Sequence, residues 1–221
     1  LLGLLAAVRR NGWIDYLVRL ASLASISMPR FFLGLMLQLV FAMWLGWAAL
    51  GGRFPLTGSP PPTVTGMLTL DSLIAGDLQA FVLALQHLAL PAIAMSLSPL
   101  ATITRMMRAS TMEVLQQDYV LTARALGIPP RKLLFKHVLR NALSSTLTVI
   151  GLYFGWLLGG TVLVETVFDW PGIGLYATKS ILTQDFMPVM GVVLSIGTMF
   201  VVFNLVIDLL YGVINPKVQL R

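Results

Sequence analysis

Polar and apolar positions fall along this chain in long blocks. Four stretches carry no Asp, Glu, Lys or Arg: Phe31–Gly52 with 22 residues, Leu78–Thr104 with 27, Asn141–Val164 with 24 and Phe186–Ile207 with 22. A helix crossing the hydrocarbon core of a bilayer needs about 20 mostly apolar residues. The blocks therefore predict spans over about Ser25–Ala48, Val82–Met106, Ala142–Val164 and Pro188–Tyr211. Leu1–Val8 is also apolar, and Arg9 and Arg10 follow it. That order is the reverse of a secretory signal, in which charge precedes the apolar core. It reads as the cytoplasmic end of a helix whose beginning is absent. The expected fold class is an all-α polytopic membrane protein, with four full transmembrane helices plus the end of another.

Breakers refine this pattern. Pro91 and Pro99 lie inside the Val82–Met106 block, where each removes a backbone donor and favours a kink. Proline is also simply commoner in membrane helices than in soluble ones. Gly51–Gln79 is rich in Pro, Gly and Thr and reads as an irregular loop with one short helix. Gly151, Gly155 and Gly159 recur every four residues in the third charge-free block from the N-terminus of the complete spans. They leave one helix face bare for close approach of another helix. Asn204 and Asp208 lie one turn apart near the inner end of the last span, where a charge is expensive in lipid; they read as a structural polar contact within the helix packing, with a substrate contact as the alternative.

Composition and charge then fix a direction. Hydrophobic residues make up 57% of the 221 and charged ones only 11%, against roughly 25% charged in a soluble domain. Too few charges exist to coat a water-soluble surface. If the spans alternate, 13 of the 15 basic residues share one side, from Arg9 and Arg10 through Arg105–Arg140 to Lys217 and Arg221. Arg53 and Lys179 lie on the other, with five of the nine acidic residues. The positive-inside rule makes the basic side cytoplasmic, which explains the net charge of +6 without a nucleic-acid partner. The absence of cysteine excludes disulfides and thiolate metal sites. His87 and His137 fall on opposite sides, so they form no metal site together.

The most informative stretch is Arg105–Arg140, about 35 residues that do not belong in lipid. Ser110 and Glu113 fit a capping box at the start of a helix over Met112–Leu126. That helix would carry Leu115, Tyr119, Ala123 and Leu126 along one side. Gly127 suits its end, and Pro129 and Pro130 suit the first turn of a second, basic helix over Arg131–Ala142. A short projecting helix with small residues fits a groove on a cytoplasmic partner. A helix lying on anionic lipid, held by Arg131, Lys132, Lys136 and Arg140, is an equal alternative on composition.

The run Asp118-Tyr-Val-Leu-Thr-Ala-Arg-Ala-Leu-Gly127, continued by His137-Val-Leu-Arg-Asn-Ala142, resembles the EAA loop of binding-protein-dependent ABC transporter permeases. Ser27-Met-Pro-Arg-Phe31, Val164-Glu-Thr-Val-Phe-Asp-Trp-Pro-Gly-Ile-Gly174 and the segment from Asn204 through Asp208 to Asn215-Pro-Lys217 follow in the same order. Together they resemble the first, or B-type, permease of the dipeptide/oligopeptide/nickel group, over essentially the whole chain. The resemblance implies a single ABC importer type I permease domain over residues 1–221, N-terminally incomplete, containing a cytoplasmic EAA/coupling loop at 105–140. It implies that Glu113, Asp118, Tyr119, Thr122, Ala123, Arg124, Ala125 and Gly127 meet an ATPase, with Leu121 standing where the motif usually has Glu. Glu165, Phe168, Pro171, Gly172 and Gly174 would form an outer loop or gate, against the plainer reading of a solvated acidic loop.

The implied assembly adds a homologous second permease, two cytoplasmic ABC ATPase subunits and a periplasmic solute-binding protein, in lipid of the bacterial inner membrane. The C-terminus would be cytoplasmic. No cofactor is expected on this chain. It has no Gly-x-x-x-x-Gly-Lys-Ser/Thr phosphate loop, so ATP and Mg would belong to the partners and the chain is not itself an enzyme. The implied activity is ATP-driven import of di- or oligopeptides by alternating access; nickel, glutathione and opines share the branch. A secondary transporter would need ionisable groups near the membrane midplane, where the long blocks offer only His87. A non-transporting assembly subunit would leave the EAA-like loop unexplained.

Overall fold

The computed structural model describes residues 2–55 and 58–214; the surroundings of side chains 154–156, 158–160 and 210–214 are not among the features described. Ten helices are named here, all within those residues: α1 Leu2–Val8, α2 Trp13–Ser27, α3 Arg30–Leu37, α4 Leu68–Ile74, α5 Leu78–Leu115, α6 Asp118–Ala125, α7 Pro130–Lys132, α8 Leu139–Val167, α9 Ile173–Leu182 and α10 Phe186–Ile214. Two π-helical stretches extend them, Gln38–Trp44 after α3 and Leu133–Val138 between α7 and α8. No strand occurs among the described residues.

The expectation of four full spans is corrected in part. Among the described residues two helices are long and apolar enough to cross a membrane, one within Leu78–Leu115 and one within Phe186–Leu209. A third qualifies only if Trp13–Ser27 and Arg30–Trp44 are counted together across their break. The expected helix over Ser25–Ala48 is therefore not one element. Pro29 lacks an amide proton and disfavours helical backbone at Met28, and it adopts extended dihedrals of φ −58° and ψ 139° ahead of α3. The expected Ala142–Val164 span falls on the 29-residue α8, part of which lies outside the described side chains. By contrast α5 continues as one helix through Pro91 and Pro99. The window that qualifies in α10 has a mean hydropathy of 2.3, yet only 6% of it is buried. An all-round apolar helix with that little cover calls for hydrocarbon or another chain around it.

The chain divides into two compact units, and α5, α8 and α10 each contribute to both. One unit comprises residues 1–27, 97–158 and 197–221. Its core joins Leu4, Met107 and Ala142, with Val114, Leu134 and Leu139 packed around them. Here α1 lies hard against α5, because a Cβ on Gly3 would fall 2.9 Å from the Met107 Cβ. The same unit holds an ionic knot. Asp15 is fully buried, and its carboxylate accepts from Arg108 Nε and Nη2 at 2.6 and 3.0 Å. Arg19 Nε and Nη2 donate to it as well, at 3.2 and 2.7 Å, and the Asn11 amide adds a fifth bond at 3.1 Å. A buried carboxylate is tolerable only when paired and hydrogen-bonded to this degree.

The other unit comprises residues 28–96 and 159–196, and Phe168 is its centre. That ring is 1% exposed and packs with Leu90, Ala94 and Val164, under Leu37, Phe41 and Trp170. The connection after α3 folds back over it: the Phe168 carbonyl accepts from the Gly52 amide at 2.8 Å. Gly51 lies directly on the Phe168 carbonyl, with no room for a Cβ. Gln38 Nε2 donates to the Leu50 carbonyl at 2.6 Å and to the Val167 carbonyl at 3.1 Å, while His87 Nδ1 lies 2.9 and 3.1 Å from the carbonyls of Gly51 and Gly52. Both neighbours only accept, so that nitrogen carries the proton. Replacing Gln38 by Leu should strand two carbonyls and lower stability by about 1–3 kcal/mol, read as an earlier midpoint in detergent-solubilised thermal unfolding.

The expected short helix in the segment after Gly51 is α4. Asp71 there is buried and accepts from the amide and hydroxyl of Thr65, both at 2.7 Å, and from the Gly66 amide at 3.1 Å. These bonds, led by the Thr65 amide, hold its carboxyl below the usual carboxylate range. A depressed carboxyl adds stability above its unfolded value of about 4, lost as pH falls through the lower folded value. Protection of the amides over 64–75, relative to the intrinsic exchange rate at each pH, should therefore fall only in acid below about pH 4, whereas Asp71→Asn should lower it at neutral pH.

Candidate functional site

The residues expected at an ATPase-facing surface lie on α6 and its flanks. Their first correction concerns the helix start. Ser110 does not cap a new helix, because α5 continues to Leu115. Ser110 is buried, and its hydroxyl donates to the Ala142 carbonyl at 3.2 Å, tying α5 to α8. Glu113 is thus an exposed residue in the last turn of α5, separate from α6. Gln116 and Gln117 turn the chain by bonds to the carbonyls of Glu113 and Val114, and α6 begins at Asp118, whose negative charge suits a helix N-terminus.

α6 is short, and packing rather than length holds it. Val120 and Ala123 are its buried side, set against Leu133 and Val138 of the π-helical stretch before α8. The expected shared face of Leu115, Tyr119, Ala123 and Leu126 does not form: Tyr119 and Leu126 are exposed, the latter by 76%. The Tyr119 hydroxyl accepts from Asn141 Nδ2 at 2.7 Å, a second link between α6 and the start of α8. Asp118, Thr122, Arg124 and Ala125 also face out; the Thr122 hydroxyl is turned back to the Asp118 carbonyl at 2.9 Å. Gly127 ends the element in the left-handed region, φ +73°. Its amide reaches the Arg124 carbonyl at 3.1 Å, and the Ile128 amide reaches that of Ala123 at 3.2 Å, a C-terminal cap that glycine accommodates without strain. Pro130 stands in the first turn of α7 as expected, while Pro129 is its N-cap; the expected helix over Arg131–Ala142 is divided among α7, the π-helical stretch Leu133–Val138 and the start of α8. The arrangement presents a small helix seated on packed side chains, whose free surface carries Leu121, Thr122, Ala125 and Leu126.

The second set lies where α8 meets α9. Glu165 is not a solvated loop residue but belongs to α8, and its Oε2 accepts from the Leu175 amide in the first turn of α9 at 2.9 Å. A carboxylate there satisfies a free amide and complements the helix dipole. Gly172 gives the carboxylate its space, since a Cβ would collide with both of its oxygens. A Cβ on Gly174 would fall 2.6 Å from the Cα of Val162 and 2.9 Å from its amide nitrogen. Pro171 is exposed at the corner, and Phe168 is a core residue rather than a free gate. Backbone atoms cannot rotate aside, so Gly174→Val should separate α9 from α8 and cost about 1–3 kcal/mol, read as a lower unfolding midpoint.

Of the packing set, a Cβ on Gly151 would fall 2.7 Å from Ile207 Cγ2, so α8 and α10 approach closely there. The surroundings of Gly155 and Gly159 lie outside the described residues, as does the Asn215–Lys217 motif. Asn204 and Asp208 share the lining of a cavity of about 280 Å³ with Thr148, Gly151 and Ile207. Among the described residues Asp208 has no hydrogen-bond or ion-pair partner, Asn204 included. The described residues contain no group of three or more His, Cys, Asp or Glu able to hold a metal ion. Sequence reasoning missed Asp15 and Gln38. The first left a trace, an Asp-Arg pair four apart in an otherwise apolar helix; the second was the one amide in its charge-free block.

The match to known proteins is extensive. The model of the binding-protein-dependent transport system inner membrane component family matches residues 1–220. The chain belongs to that family. It is 43% identical over 219 residues to the di/tripeptide transport system permease protein DppB of Pseudomonas aeruginosa, covering 99% of this chain and 65% of the relative. It is 44% identical to the dipeptide transport system permease protein DppB of Haemophilus influenzae, with the same two coverages. Against the probable D,D-dipeptide transport system permease protein DdpB of Escherichia coli it is 43% identical, covering 98% of this chain and 64% of the relative. The chain thus spans about two thirds of the length of the curated relatives it matches.

Proposed function

We propose that the chain is a permease subunit of an ATP-driven peptide importer in the bacterial inner membrane, moving di- or oligopeptides inward by alternating access. The observation that carries this reading is the match of residues 1–220 to the inner membrane component family, with dipeptide permeases among the relatives at 40–44% identity. In this reading the whole chain is one permease domain, and 105–140 is its cytoplasmic coupling loop, with the C-terminus on the same side. The charge asymmetry supports that orientation.

Asp118, Tyr119, Thr122, Ala123, Arg124, Ala125 and Gly127 form the coupling element, and Glu113 borders it. Exposed Leu121 and Leu126 would enter a cleft on one of two ABC ATPase subunits, which bind ATP and Mg and perform the hydrolysis. Because Val120 and Ala123 are seated on the residues leading into α8, a push on α6 would reach a membrane helix with little loss. A homologous second permease would complete the pathway. The Glu165–Gly172–Gly174 junction would hold α9 as an outer segment facing a periplasmic solute-binding protein, with Phe168 and Pro171 fixing its base. Gly151, Gly155 and Gly159 would supply close helix packing, with Asn204 and Asp208 as polar positions beside it.

Gly127 offers the direct test. A β-branched side chain at positive φ costs roughly 1–2 kcal/mol, enough to displace the cap and Leu126 beside it. In the complete transporter Gly127→Val should lower dipeptide uptake about tenfold and weaken copurification of the ATPase. Undiminished uptake and ATPase association would refute the coupling role. Uptake of nickel, glutathione or an opine in place of dipeptides would reassign the substrate.

A further inference from the structure

Between α2 and α5, beside the Asp15 knot, lies a cavity of about 260 Å³ lined by Val18, Arg19, Ser22, Leu23, Arg105 and Arg108. Three arginines line it, and the adjacent Asp15 carboxylate pairs with two of them, Arg19 and Arg108, leaving two positive charges in excess. Arg19 and Arg108 are each oriented by two bonds to Asp15, and the buried Ser22 completes the polar lining. Arg105 is exposed and, among the described residues, has no hydrogen-bond or ion-pair partner.

A second, narrower groove of about 100 Å³ adjoins this cavity and shares Val18 and Ser22 with it. It runs on between Ala21 and Ser25 of α2 and Leu97, Leu100 and Ala101 of α5. Leu17, Leu20 and Leu23 of α2 are more than half exposed nearby. A charged cup opening into an apolar track selects an amphiphile, with an anionic head and a hydrocarbon tail. Inorganic phosphate would leave the track empty.

We propose that this site binds one anionic phospholipid of the cytoplasmic leaflet, its phosphate on Arg105, Arg19 and Arg108 and an acyl chain along Val18, Ser22 and Leu100. Guanidinium groups bind phosphate oxygens in pairs, and basic recesses beside membrane helices on the cytoplasmic side suit anionic head groups. Asp15 holds two of the arginines in place before the lipid arrives, so little side-chain entropy is lost on binding. The site rests on the membrane reading of the chain but not on its substrate.

Native mass spectrometry of the complete transporter, titrated with phosphatidylglycerol or phosphatidylcholine, tests this directly. The expected result is preferential retention of one phosphatidylglycerol per subunit. Arg105→Gln should cut that preference about fivefold, the loss expected for one basic contact near a membrane surface, while Arg105→Lys should keep most of it. Arg105 is outside the Asp15 knot, so an unchanged unfolding midpoint would separate lipid loss from misfolding. Equal retention of the two lipids, or a preference indifferent to Arg105→Gln, would overturn the proposal. Displacement of the lipid by millimolar inorganic phosphate would reassign the site to a soluble anion. Peptide uptake measured on the same preparations is a separate readout: its absence with lipid preference intact would count against the transport reading alone.

Discussion

Backbone amides and carbonyls have nowhere to go in hydrocarbon, and that constraint governs this chain. Over its charge-free blocks the only local solution is the helix, which satisfies each polar group within the segment. α5 and α10 follow that solution without interruption. The places where the chain departs from it are therefore the places that need explanation, and each has a specific remedy. Where α3 passes into π-helix and the chain turns back, Gln38 donates to the carbonyls of Leu50 and Val167. His87 covers those of Gly51 and Gly52, and the Phe168 carbonyl receives the Gly52 amide. Two side chains from two different elements and one backbone carbonyl thereby close one irregular stretch.

The same economy appears where charge is buried. Asp15 would be intolerable alone in this core, yet with five donors it becomes a fixed joint between α2 and α5. Its pairing with Arg108 spans 93 residues of sequence. Glu165 works differently: half-buried, it replaces the missing hydrogen-bond partner at the first turn of α9. Both acids are structural: Asp15 fixes α2 to α5, and Glu165 fixes the first turn of α9 to α8.

The α6 element depends on contacts rather than on its own helical strength. Eight residues form a marginal helix in water, but Val120 and Ala123 rest on Leu133 and Val138, and Tyr119 is tied to Asn141. In the proposed coupling role, motion applied to its free surface would pass through these packed side chains. Gly127 sets where the helix stops, and the two prolines set where the next begins.

Much of this was legible in the residues alone. Hydropathy marks the long helices, Pro29 marks the break between α2 and α3, and Gly127 with Pro129 and Pro130 marks the helix–turn–helix element. These features follow from local rules: an apolar run needs a helix, a proline cannot donate, and glycine alone enters positive φ cheaply. Only the tertiary structure decided that α5 runs past Ser110 and that Ser110 bonds to Ala142. It also turned Val120 inward and Leu126 outward, made a cap of Glu165 and buried Asp15 between two arginines. Local sequence sets which groups need partners. Which distant group arrives to meet them depends on how the helices pack, and periodicity along one segment carries no record of that.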